Sequence, residues 1–333
     1  MTASRRCVLL LALVAACGGR GDSGPAGPTR LRVLVQPFMS HAPLLIADAE
    51  GYYAEQNLAV EFVRLSDPNN AMPLLLDGGI DVLTGGPTPA ILNAMSRGLR
   101  VRAVAEKGYL RKEGCSRAGL VIQKNLITAA NGGVPRIRRI SLDKAPQQLY
   151  LVEKMLMAAG LQLKDLDQRF VLHAPELDAL ADGALDAALV GEPWLTLNLE
   201  RGHVVQWVRA EDVLPDAQMS FVYFGPSLLN ADPDIGTRFL IAYLKAVRQY
   251  EEGKTERNLQ LLARVTGDGE DMIHKMCWPA FVLDGRIDYT ALEDFQAWAV
   301  ERELVENVVT ESQFWDPTFL NAANRALSAS RQP

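Results

Sequence analysis

From residue 31 to residue 105 short apolar runs alternate with helical stretches and Gly- or Pro-rich loops, and that alternation restricts the fold more than any other feature of the chain. Leu31-Arg32-Val33-Leu34-Val35 reads as a strand. A loop at 36–42 follows, and Pro43 opens an apolar helical run that weakens at Gly51. Proline suits a first helical turn because its missing N–H would have no partner there. Further strands at 60–65, 80–83 and 100–105, with helices at 71–76 and 90–97, complete a βαβαβαβ series. Such a series predicts an α/β fold with a mostly parallel sheet and helices on its faces. Ligands on these sheets bind beyond the strand carboxyl ends, which here are the loops 36–41, 85–89 and 106–109.

The same logic returns after residue 120. Strands are expected at 120–123 and 138–142, then a long helix at 146–159 with Gly160 as its stop. A strand at 169–172, a helix at 176–181 and a strand at 187–190 lead into Gly191-Glu192-Pro193-Trp194. Two similar lobes are the economical reading.

The N-terminus reads as an address, not as part of the fold. Arg5 and Arg6 precede an apolar run from Cys7 to Ala16, too short for the ~20 residues of a bilayer span and suited to a signal peptide. Leu13-Val14-Ala15-Ala16-Cys17 resembles a bacterial lipobox, which makes residues 1–17 a leader with Cys17 as the lipidation site. Ordinary secretory cleavage, with Cys17 incidental, is the alternative. Residues 18–29, GGRGDSGPAGPT, are too rich in Gly and small residues to order themselves and act as a tether. Two cysteines remain, Cys115 and Cys277, either a disulfide of an oxidising compartment or two separate thiols.

Composition removes some function classes. A formal charge of −6 gives no nucleic-acid footprint, and Arg136, Arg138 and Arg139 read as a solvated edge. The loop Thr84-Gly85-Gly86-Pro87-Thr88-Pro89 offers backbone N–H groups next to a helix start, which can hold an anion or ring acceptor, or merely make a tight connection. No Walker-type Lys and no G-x-G-x-x-G spacing support a nucleotide. With four histidines, no nucleophile elbow and no zinc spacing, neither catalysis nor a metal or cofactor is expected.

The stretch SHAPLLIADAEGYYAEQNLAVEFV, then Gly78-Gly79-Ile80-Asp81, the TGGPTPA loop and ALVGEPW, resembles the periplasmic solute-binding proteins of nitrate, sulfonate, taurine and thiamine-pyrimidine-precursor ABC transporters. The resemblance covers nearly the whole chain after the leader. It implies a type II periplasmic-binding-protein fold: two α/β lobes with a ligand cleft between them, crossings near Ala118 and 219–224, and a helical tail from Asp234 on the first lobe. The expected boundaries are 30–118 and 222–333 for lobe 1 and 119–221 for lobe 2. The implied function is capture of a small organic ligand by lobe closure and delivery to an ABC permease, by a monomer outside the cytoplasm, lipid-anchored to a membrane.

Carried over by position, the resemblance selects Phe38, Ser40 and His41, then Gly86, Pro87 and Thr88, and Tyr109 from the first lobe. From the second it selects Lys144, Gln147, Glu192 and Trp194, and from the return crossing Ser220 and Tyr223. Rival roles stand beside these: His41 as a helix cap, Trp194 as lobe core, Glu192 as the residue orienting Trp194, and Asp81 as a structural group holding the loop after its strand. The sequence departs from the family at SLDKAPQ, 141–147, where many members carry a small Gly/Ser turn, so Lys144 would supply the charge instead of a backbone anion site. The His-Ala-Pro loop and Glu192 lean toward a pyrimidine precursor, with sulfonates, taurine, nitrate and aromatic carboxylates open. A ligand-sensing lipoprotein on the same fold is one alternative. A pyrimidine-synthase-type enzyme is another, although the Cys-rich segment of those relatives is not found here.

Overall fold

The computed structural model describes residues 27–36, 38–65, 70–127, 135–143, 145–171 and 174–330. The leader, Cys17, most of the tether and Lys144 lie outside the described residues.

Among the described residues ten strands form two five-stranded sheets: β1 (Thr29–Leu34), β2 (Leu58–Val63), β3 (Val82–Gly85), β4 (Arg102–Glu106), β5 (Ala118–Gln123), β6 (Arg139–Ser141), β7 (Asp167–Arg169), β8 (Ala187–Gly191), β9 (Val204–Arg209) and β10 (Phe221–Phe224). The orders are β2-β1-β3-β10-β4 and β7-β6-β8-β5-β9. In the first sheet β1 pairs parallel with β2 and β3, whereas β10 runs antiparallel between β3 and β4. In the second, β6 pairs parallel with β7 and β8, and β5 runs antiparallel between β8 and β9. The two sheets therefore share one topology, each completed by a strand entering from the crossing. The expected two-lobed α/β architecture is what the chain adopts.

Local chemistry accounts for the elements. The interior strand β10, FVYF, is buried along its whole length, as a strand covered on both faces must be. The helix Pro89–Ser96 begins with Thr88, whose hydroxyl accepts the Ile91 N–H at 3.3 Å, and with Pro89 in the first turn. The helix Pro233–Tyr250 starts on an Asp232 cap. It buries Gly236, Phe239, Leu240, Tyr243, Leu244 and Val247, a three-and-four spacing that makes one apolar face. That face packs on the helices Ala42–Ala49 and Thr318–Ala329.

The tail also touches the second lobe. Helix Thr290–Glu301 packs on helix Pro146–Ala158, with Tyr150 donating to Asp294 (2.6 Å), Trp298 Nε1 donating to Glu153 (2.8 Å) and Lys154 paired with Asp294 (2.7 Å). On the other side Cys115 and Cys277 form a disulfide that joins the first crossing to the tail, 162 residues apart in sequence.

Two elements differ from the sequence reading. The strand expected at 80–83 starts at Val82, because Ile80 folds back onto the end of helix Ala71–Leu76 after the left-handed Gly78, with its N–H on the Leu74 carbonyl. Asp81 consequently precedes its strand, where its carboxylate accepts the Arg32 N–H (2.7 Å) and ties β3 to β1. No strand is expected from the pattern of 204–209, yet β9 lies there, because VVQWVR is an edge strand without strict alternation. No helix among the described residues is long and apolar enough to cross a membrane.

Candidate ligand-binding cleft

Both sheets aim their strand ends at one cavity of about 340 Å³, a size suited to a small molecule. The loops after β1, β3 and β4 bring Phe38, Ser40, His41, Gly86 and Lys107. The second lobe brings Gln147, Glu176, Glu192 and Trp194, and the crossings bring Arg117, Met219 and Ser220. β10 contributes through its N-terminal end, because it runs against its neighbours.

His41 is buried, with Nε2 2.9 Å from Thr84 Oγ1. The Thr84 hydroxyl donates its proton to the Leu34 carbonyl, so Nε2 must be the donor to Thr84. Burial, then the Lys107 charge, holds the imidazole well below its usual range against a hydrogen bond with the Phe38 backbone, so His41 is a neutral ring.

The lobes meet across the cleft at two places. Gln147 donates to the Met219 carbonyl at 2.6 Å and lies so close to Gly86 that a Cβ there would sit 2.0 Å from its Oε1. Glu192, just after β8, accepts from Thr196 N (3.0 Å) and Oγ1 (2.8 Å) on the helix Trp194–Arg201 that follows and from Cys277 N (2.7 Å) on the tail. Burial raises the Glu192 carboxyl and these donors oppose the rise. Its oxygens already serve the protein on both sides of the cleft.

Two cations line the cavity that the sequence reading did not select. Lys107, 1% exposed, directs its ammonium to Ser40 O (3.1 Å) and Oγ (3.2 Å). Burial, then the Arg117 charge, pulls it down to about 7. Arg117, half-buried, leaves a buried Nε without a partner. The neighbouring Glu106 is pushed up to about 8 by burial, against the peptide N–H groups of Val282 and Gly108 that it accepts. Glu176, also on the cavity, is raised to about 8 by burial. Position was the available signal: Lys107 directly follows β4, and Arg117 directly precedes β5.

Of the residues selected from sequence, Phe38, Ser40, His41, Gly86, Gln147, Glu192, Trp194 and Ser220 line the cavity. Four others lie off it. Pro87 is buried beside the loop, and Thr88 is spent on its helix cap. Tyr109 bridges Gln218 and Ala280 and carries Arg111 over its ring. Tyr223 is fully buried against Phe221 and Phe314.

Residues 39–114 match the family model described as NMT1/THI5 like. No curated protein sequence matches the chain. Among solved structures, the ligand-binding component of an ABC-type import system from Staphylococcus aureus aligns at TM-score 0.70 and 17% identity, over 90% of this chain and 100% of that one. The periplasmic nitrate-binding protein of Synechocystis PCC 6803 aligns at TM-score 0.69 and 16% identity, over 92% and 91% of the two chains. A desulfurization enzyme also aligns, at TM-score 0.66 and 18% identity over 90% of this chain and 99% of that one. Residues 39–114 of this protein are therefore similar to the NMT1/THI5-like family, and the chain has the two-lobed fold of these solved structures.

Proposed function

We propose that this protein is the extracytoplasmic solute-binding component of an ABC importer: it captures a small organic ligand between its lobes and presents the closed form to a permease. The observation that carries this is the cavity, lined by strand-end loops of both sheets and bridged by Gln147–Met219 and Glu192–Cys277. Ligand preference for the closed arrangement would drive the hinge motion. Cys17 would hold the carrier at the membrane, raising its effective concentration near the permease.

A pyrimidine precursor was the leaning from His41 and Glu192. The three hydrogen bonds Glu192 already accepts weaken that case and leave the aromatic and sulfonate classes stronger. The fold also carries an enzyme, so capture and turnover are separated by chemistry at the site and not by architecture.

The test is a thermal-shift panel on the protein lacking residues 1–17, with aminopyrimidines, sulfonates, nitrate and aromatic acids. A ligand that binds only the native state raises Tm. Recovery of the bound compound unchanged supports capture, conversion of it supports an enzyme, and no shift at saturation counts against the reading. Metabolic labelling with palmitate, lost in Cys17→Ser, tests the anchor.

A further inference from the structure

The second lobe meets the rest of the chain on both faces of its sheet, and the two contacts differ in kind. Successive residues of a strand point to opposite faces. In β5, Leu120 and Ile122 share a buried cluster with Tyr150 and Met155 of the helix Pro146–Ala158, whereas Val121 shares another with Leu195 of the helix Trp194–Arg201. On the first face the cluster runs unbroken into the tail. Tyr150 meets Phe295 and Trp298 of the helix Thr290–Glu301 edge-on, at 5.4 and 5.6 Å between ring centroids, and all three rings are buried. Arg302 pairs with Glu153 at the rim, and Gln147, in the first turn of the same second-lobe helix, reaches Met219. On the second face the contact is thin. Glu192 accepts the Cys277 N–H, and Lys275 pairs with Glu200 at 2.7 Å with both side chains exposed. The tail itself is firm there, because the disulfide fixes Cys277 to Cys115 and Lys254 donates to the carbonyls of His274 and Met276.

Separating the first contact would bare three large aromatic rings. Separating the second loses one hydrogen bond to a carboxylate and an exposed ion pair, which is the smaller cost. We infer that Glu192 is a positioning residue for capture: its carboxylate latches the second lobe onto Cys277 in the closed form. The cleft opens by release of this latch, on the side of the helix Trp194–Arg201, with the Tyr150–Phe295–Trp298 contact as the pivot. This rests on the binding-protein reading and adds which wall moves and what holds it. The two Thr196 donors aim the carboxylate from within the second lobe, so it is already oriented before the lobes meet. Its partner is a peptide N–H on the tail that the disulfide keeps in place.

The experiment measures distances between spin labels in the ligand-free, disulfide-intact protein lacking residues 1–17. Labels at the exposed positions Leu199 and Asp271 span the latch side, and labels at the exposed positions Met157 and Ala297 span the pivot side. Glu192→Ala should lengthen the latch-side distance by about 5 Å or more, the scale of a hinge rotation, and leave the pivot-side distance within its parental width. Glu192→Gln keeps one acceptor oxygen and should stay nearer the parent, and Lys275→Ala, which removes only the exposed pair, should change less than Glu192→Ala. A residue that served the ligand alone would leave both ligand-free distances at their parental values, which overturns the inference. Equal lengthening of both pairs, or of the pivot pair alone, overturns it as well. Benzenesulfonate, benzoate, nitrate and an aminopyrimidine are then added to the parent and to Glu192→Ala, with binding followed by calorimetry. A compound that binds should restore the short latch-side distance in Glu192→Ala. Binding with no latch-side difference among parent, variant and complex sinks the latch and leaves the binding-protein reading standing. If no compound binds and neither distance responds to Glu192→Ala, both fall.

Discussion

The two lobes share a strand order and differ in what they turn toward the cleft. The first-lobe wall offers the glycine backbone at Gly86, a neutral His41 and the buried cation Lys107. The second-lobe wall offers carboxyl groups, Asp143, Glu176 and Glu192, with Trp194 and Gln147. The shared topology dictates where strand-end loops stand, and the loop residues alone decide what chemistry stands there. The lobes differ in support as well. The first leans on the long tail helices, and the tail is joined to the second by helix Thr290–Glu301 and to the crossing by the disulfide.

The largest expected effect tests that junction. Cys115→Ser with Cys277→Ser removes a link closing 162 residues, and should lower stability by ~3–4 kcal/mol in denaturant unfolding. A loss below about 1 kcal/mol would mean that the tail is held without it.

Next comes the acidic wall. Glu176, raised to about 8 in the folded chain from an ordinary 4.5, keeps a proton that the unfolded chain releases. Its contribution is therefore full below about pH 4.5 and is lost as pH rises through 8. Glu176→Gln stays neutral, so the variant should match the parent near pH 5 and exceed it near pH 9 by on the order of 1–3 kcal/mol. Parallel stability curves for the two proteins would refute the burial argument.

Contact between the walls should show a smaller effect. Gly86→Ala must displace the Gln147 side chain, the soft neighbour, and cost about 1 kcal/mol through the hydrogen bond to Met219. Gln147→Ala should cost about as much, and the double variant should cost no more than either. Additive losses would show that the two residues act apart. Smallest is Thr88→Ala, which should remove ~0.5–1 kcal/mol of helix capping while leaving ligand affinity unchanged. A drop in affinity would return Thr88 to the site.

Much of this was legible in the residues. Alternation and Gly/Pro loops marked eight of the ten strands among the described residues to within a few residues, because apolar periodicity and turn chemistry act over a handful of neighbours, while β10 entered only as the return crossing that the resemblance implies. β9 escaped because VVQWVR lacks that periodicity, and β3 was read two residues early because Ile80 is apolar for a helix end and not for a strand. In the cleft, the loops were found and the side chains within them only partly. Thr88 and Tyr223 occupy the expected elements, yet one is consumed by a cap and the other points into the core. Lys107, although inside the 106–109 loop, and Arg117 were not selected, because nothing in KGYLRKEGCSR marks which of its charges are buried.

Local pattern thus determined the α/β class, the two-lobe division and the loops where a ligand would sit, since propensity, period and chain breaks are written in adjacent residues. Tertiary structure alone decided which charges are buried, which carboxylates are already satisfied and which cysteines join. Desolvation and partner geometry depend on groups brought together from as far apart as Cys115 and Cys277, and short-range pattern carries no record of that distance.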